Sequence, residues 1–241
     1  MTNILSEHRR IWQSKRVLRA VYEDCYRRMA AACGPGRTLE IGGGTGNMKA
    51  FLSDIVSIDI QFATWLDVMA DAHRLPFADA SFRNVVMFDV LHHLERPRLF
   101  LGELARVLVP GGRLVVVEPA ISPLSYVFYA YFHPEPVRLD EDPLVEGEPS
   151  GRRDPYDSNQ AIPTLLFGRD RERLERLVPA LTVRARYLFS LFAYPLSGGF
   201  RRWSLLPARC VGPVLRLEDW LLPWLGWLMA FRMVGIIERK S

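Results

Sequence analysis

Cysteine is scarce: Cys25, Cys33 and Cys210 are the only three in 241 residues. Their spacing suits neither a disulfide framework nor a thiolate metal site, so a reducing cytoplasm is the expected setting. No apolar run reaches the roughly 20 residues that a membrane span requires. The longest, 220–231, is interrupted by Pro223. Residues 1–16 are polar and charged with no apolar stretch, so no secretory leader is expected. Basic residues are dispersed, the net charge is +4, and no aromatic–basic repeat occurs, which argues against a nucleic-acid partner. Acidic residues show no repeatable ligand spacing, and no metal is implied. Apolar residues, at 49%, are plentiful enough for the core of one large domain or of a domain with an insertion.

The rest of the chain is organised around Leu39-Glu40-Ile41-Gly42-Gly43-Gly44-Thr45-Gly46-Asn47. Residues 38–41 read as a short buried strand, glycines crowd the turn after it, and 48–52 is compatible with helix. Such a turn brings main-chain N–H groups close to a ligand. A dinucleotide fingerprint G-x-G-x-x-G starting at Gly42 would place its last glycine at 47, where Asn stands, so a nicotinamide oxidoreductase fails on spacing. The second strand, 55–60, ends in Asp59-Ile60, and a carboxylate there can accept both hydroxyls of a ribose. A nearly all-apolar strand, 84–88, fits a parallel strand covered on both faces and leads to Asp89-Val90-Leu91-His92-His93.

Three phrases in this order resemble the motifs of class I S-adenosylmethionine-dependent methyltransferases of the small-molecule type. They are E-x-G-x-G-x-G from Glu40, D-A-x-x-L-P-F-x-D-x-S-F from Asp71, and L-x-P-G-G-x-L-x-V-x-E-P from Leu108. The resemblance spans about residues 37–119. It implies an α/β fold: a doubly wound, mostly parallel seven-stranded sheet with helices on both faces. It also implies S-adenosylmethionine as cofactor. Glu40, Gly42, Gly43 and Gly44 would then pack on its methionine part, with Phe88 and Asp89 beneath. Asp59, next to Ile60, would hold the ribose, and Asp71 with Ala72 the adenine amino group. His92 matches the position of a catalytic His in the similar plant-type O-methyltransferases. It is the candidate base, since an imidazole titrates near neutral pH. His93 and Glu118 rank behind it.

Around this core, residues 1–36 read as a cover of one or two amphipathic helices. Residues 120–167 are rich in proline, with aromatics from 122 to 133 and acids from 140 to 148. They read as a short aromatic helix followed by a lid-like insertion. Residues 168–241 complete the sheet, with strands expected at 183–192 and 231–238. Trp220, Trp224 and Trp227 fall in a stretch read as buried helix; the alternative is an interfacial helix or an apolar acceptor pocket, with Arg201, Arg202, Arg209 and Arg216 suited to an anionic surface. The expected function is methyl transfer to oxygen of a small or lipid-like molecule in the cytoplasm, with peripheral membrane contact as a further option. The competing reading is a non-catalytic cofactor- or partner-binding module on a degenerate methyltransferase fold.

Overall fold

The computed structural model describes residues 4–151, 154 and 156–241. Two helices open the described chain, α1 (Ile4–Ser14) and α2 (Arg16–Ala32). In α2 the residues Leu18, Val21, Tyr22, Cys25 and Met29 recur at three- and four-residue steps, and that stripe is buried. Gly34-Pro35-Gly36 turns the chain into β1 (Thr38–Ile41), and β2 (Ile55–Asp59), β3 (Val68–Met69) and β4 (Phe82–Phe88) follow. Next come α3 (Pro97–Val107) and β5 (Leu108–Pro119). The aromatic helix α4 (Pro123–Phe132), α5 (Ile162–Leu166) and α6 (Arg171–Leu177) lead to β6 (Leu181–Phe189). Then α7 (Ala193–Ser197) and α8 (Val211–Met229) precede β7 (Arg232–Arg239).

The seven strands lie in the order β3-β2-β1-β4-β5-β7-β6. β3, β2, β1, β4 and β5 pair in parallel, while β7 is antiparallel to both of its neighbours. The expected doubly wound, mostly parallel sheet is present. Alternation along β4 and β5 gives each face its own core. Val85, Met87, Leu114 and Val116 pack with Phe100, Leu101 and Leu104 of α3 on one side. Val86, Val115 and Val117 pack with Leu18, Val21 and Met29 of α2 on the other. With both faces covered, near-continuous apolar strands are what the sheet requires.

Two expectations are corrected. Residues 48–52 do not form an α-helix: a single 3₁₀ turn, Asn47–Ala50, follows the glycines, and Phe51 and Leu52 pack onto the α2 side of the sheet instead. The tryptophan stretch is helical but not buried. Trp220, Trp224 and Trp227 are 63%, 58% and 67% exposed, because α8 buries only Val211, Glu218 and Gly226 fully.

Candidate active site

The carboxyl ends of β1, β2 and β4 open onto one cavity of about 750 Å³. It sits where the strand order reverses between β1 and β4, the crevice in which open α/β sheets bind ligands. On its β1–β2 side the glycine turn is fixed by sterics. Gly42 has φ +70°, and a Cβ there would lie 2.1 Å from Val90 Cγ2. A Cβ on Gly43 would come within 2.8 Å of Leu66 Cδ2, the movable end of a leucine, so the steric demand for glycine falls on Gly42. Gly44, at φ +47°, meets nothing nearer than 3.7 Å and leaves the cavity wall open. Its N–H donates to Asp59 Oδ2 at 3.0 Å, while the Gln61 N–H donates to Oδ1 at 2.9 Å. Both carboxylate oxygens are thereby aimed by backbone. Burial raises the Asp59 pKa, and those N–H groups oppose the rise.

Glu40 lies beneath the turn and accepts a short hydrogen bond from Ser57 Oγ. Burial pushes its carboxyl up to about 7, with the Ser57 bond opposing. Ile60 is exposed at the cavity edge, and Asp71 pairs with His73 Nδ1 at 2.7 Å while Ala72 is buried beside it.

The β4–β5 side carries charge. Asp89 follows β4 with φ +55°, a conformation that costs a non-glycine residue free energy and marks a constrained position. Arg232, the first residue of β7, is 0% exposed and places Nη2 2.6 Å from Asp89 Oδ1. Its guanidinium lies over the rings of Tyr194 and Phe88, at 4.7 and 5.3 Å from their centroids. Glu118, near the end of β5, accepts the N–H groups of Val90 and Leu91 at 2.8 and 2.7 Å, and His92 Nδ1 lies 2.5 Å from its other oxygen. His92 Nε2 faces Glu135 at 3.4 Å. Burial pulls the His92 pKa down, but the charge and hydrogen bond of Glu118, with Glu135, outweigh it and hold the ring up at about 10. His92 is an imidazolium at neutral pH. His93 is the reverse case: burial, with charged His92 adjacent, pushes it down to about 4. Its Nδ1 lies 3.3 Å from the Asp157 carbonyl, an acceptor only, which leaves Nε2 as the lone-pair nitrogen.

Of the site residues singled out from the sequence, all but the fully buried Glu118 border this one cavity. Glu40, Gly42, Gly43, Gly44 and Asp59 line it with Ile60, Asp71 and Ala72, and Phe88, Asp89 and His92 complete the set. Sequence reasoning missed Arg232 and Glu135. An arginine opening an otherwise apolar strand was the one available signal for the first; His133-Pro134-Glu135 offered none for the second. Among the described residues two trios could hold a cation, His92 with His93 and Glu135, and Asp89 with His92 and Glu118. In both, the His92 ring nitrogens are turned to carboxylates, which suits a proton-bearing ring.

Comparison with known proteins agrees with this geometry. Residues 31–116 match the model of the family described as a methyltransferase domain. A demethylmenaquinone methyltransferase of Renibacterium salmoninarum is 34% identical over 115 residues, covering 40% of this chain and 48% of that protein. A ubiquinone/menaquinone biosynthesis C-methyltransferase of Vibrio parahaemolyticus is 34% identical over 128 residues, 41% of this chain and 49% of its own length. The chain thus spans about half the length of the curated relatives it matches. Among solved structures, a methyltransferase of Thermotoga maritima described as a possible histamine N-methyltransferase superposes with a TM-score of 0.54 at 15% identity. That alignment covers 98% of this chain and 95% of the other, and shows a shared fold. Residues 31–116 thus match a methyltransferase domain, and the chain as a whole shares its fold with the Thermotoga maritima protein.

Proposed function

We propose that the chain transfers the methyl group of S-adenosylmethionine to the oxygen of a small, lipid-like aromatic acceptor bearing an ionisable hydroxyl. The observation that carries this reading is the convergence of the glycine turn, Asp59, Asp71 and the charged His92 cluster on one cavity. Its volume lies within the roughly 300–1,000 Å³ typical of small-molecule sites. The residues fit the cofactor. The open wall at Gly44 and the backbone-aimed Asp59 suit a nucleoside sugar, exposed Ile60 suits a flat base, and half-exposed Asp71 suits an amino group. When bound, the cofactor supplies an electrophilic methyl on a sulfonium.

The chain's own part is alignment, dryness and proton handling. Aromatic side chains Tyr22, Phe88, Phe128 and Tyr194 line the cavity and suit a flat acceptor ring. His92, the base expected from the sequence, is already protonated; its proposed role becomes supplying positive charge beside an acceptor oxyanion. Neutral His93 is the proposed proton acceptor, with the Glu135 carboxylate beside it to favour its charged form. The insertion within residues 120–167, of which 152, 153 and 155 lie outside the described residues, is the proposed lid. From this insertion the Asn159 N–H donates to the His92 carbonyl at 2.9 Å, and Tyr156 accepts from Gln61 Nε2 at 2.8 Å. The lid thereby touches both ends of the cavity. A carbon acceptor on the same kind of ring is the second reading, supported by similarity to a protein named as a C-methyltransferase.

Proposed partners are this acceptor and, peripherally, a membrane surface, in a cytoplasmic setting. The reading is tested by calorimetric titration with S-adenosylmethionine and by incubation with methyl-labelled cofactor and a panel of hydroxylated aromatic lipids. Asp59→Ala is expected to weaken cofactor binding about 100-fold, near the loss of one or two hydrogen bonds to a charged group. Unchanged binding in that variant, or no labelled product from any acceptor, would overturn the proposal; cofactor binding without product favours the non-catalytic module.

A further inference from the structure

Helix α4 has two opposed faces. Inward, Phe128 lines the cavity and Tyr129 is buried, its hydroxyl donating to the Phe231 carbonyl at 3.1 Å. Outward, Leu124, Val127 and Tyr131 stand exposed at steps of three and four residues, and nothing in Pro123–Phe132 carries a charge. Helix α8 packs against α4 and does the same: Leu217, Trp220, Trp224 and Trp227 form a second exposed stripe at helical spacing. After Asp219 no charged residue follows until β7. Two adjoining helices thus offer water an uncharged, aromatic surface, of a kind that soluble chains keep small unless it binds something.

Charge along the segment that carries α8 is mainly of one sign. From Ala193 to Met229 the only acids are Glu218, which is buried, and Asp219, which pairs with Arg28 at 2.8 Å. The arginines of the same stretch, 201, 202, 209 and 216, are all exposed. Tryptophan at the water boundary with arginine nearby is the composition that favours the headgroup region of an anionic bilayer. The stripe also meets the cavity mouth. Arg201 and Trp203 are both exposed and cavity-lining, and Arg201 Nη2 donates to the Phe132 carbonyl at the end of α4.

We infer that the α4–α8 face docks on an anionic lipid bilayer, with the cavity mouth beside the docked face, so that a lipid-like acceptor enters from the membrane rather than from water. This rests on the proposed methyltransferase reading for the identity of what enters, but not for the docking itself. The occupant is the bilayer: a row of indoles flanked by arginines matches an acidic headgroup layer over an acyl layer.

The test uses the full chain with vesicles of phosphatidylcholine alone and of phosphatidylcholine with phosphatidylglycerol. Co-sedimentation and quenching of tryptophan fluorescence by bromine-labelled acyl chains report docking. The full chain is expected to partition onto anionic vesicles at least about tenfold better than onto neutral ones, with quenching. The triple variant Trp220→Ser, Trp224→Ser, Trp227→Ser is expected to lose about tenfold or more of that partition. Its calorimetric affinity for S-adenosylmethionine should stay unchanged, which also shows that it folds. Equal partition of the variant and the parent overturns the inference. So does a parent that ignores vesicles, including one that self-associates through this face as judged by sedimentation. Docking without cofactor binding in the parent would sink the methyltransferase reading and leave the surface standing.

Discussion

The two ends of the cavity are built on different principles. At the β1–β2 end, backbone does the positioning: glycines at positive φ and N–H groups aimed at Asp59 set the ligand wall within a few consecutive residues. At the β4–β5 end, side chains from distant segments do it, with Asp89, Glu118, Glu135 and Arg232 converging on His92 and one another. A wall made of main chain is rigid and ligand-specific, whereas one made of paired charges depends on every partner being present.

The largest expected effect sharpens that contrast. Arg232→Met removes a fully buried guanidinium and leaves the part-buried Asp89 without its cation, which is expected to cost about 3 kcal/mol of stability in denaturant melts. Adding Asp89→Asn should return more than half of it, and no recovery would show that the pair is not the reason. At the other end, Gly42→Ala forces a Cβ onto Val90 and should cost about 2–4 kcal/mol, while Gly44→Ala, strained only in its backbone, should cost about 1–2 kcal/mol. Equal losses at the two glycines would mean that φ, not the Val90 contact, dominates.

Titration separates the ends further. The raised His92 pKa means that its stabilising contribution is complete below the ordinary value of 6.5 and is lost as pH rises through about 10. Stability should fall by on the order of 2 kcal/mol across that window, and His92→Gln should flatten the curve there. Glu40 shows the smallest effect. As an acid with a raised pKa, its contribution is present below 4.5 and lost as pH rises through about 7, above which the folded chain holds a buried carboxylate. Glu40→Gln is therefore expected to gain on the order of 1 kcal/mol relative to the parent at pH 8 over its value at pH 5, read from melting curves. A difference of opposite sign would place the Glu40 pKa below its ordinary value.

The same division decided what could be read from the chain. Glu40 and Asp59 lie at the carboxyl ends of β1 and β2, and the glycines and Asp71 follow β1 and β3 within a few residues, so a local phrase carries both the residue and its place. Arg232 reaches Asp89 only because β7 inserts antiparallel between β5 and β6, and no local pattern encodes that closure. Glu135 faces His92 through an irregular segment with no periodicity. The buried reading of α8 rests on the apolar run 220–231; such a run normally marks a covered helix, and here the face carrying Trp220, Trp224 and Trp227 is exposed. The 3₁₀ turn at 47–50 was missed because covering the sheet there falls to α2, from the other end of the segment.

Lys15, between α1 and α2, donates from Nζ to the carbonyls of Gly199, Arg201 and Trp203 at 2.7, 2.7 and 2.8 Å. A single ammonium thus staples the rim of the entrance to the N-terminal helices, and burial lowers its pKa. Acetylating that one amine would unfasten three loop carbonyls together, turning a surface modification far from the chemistry into a widened doorway.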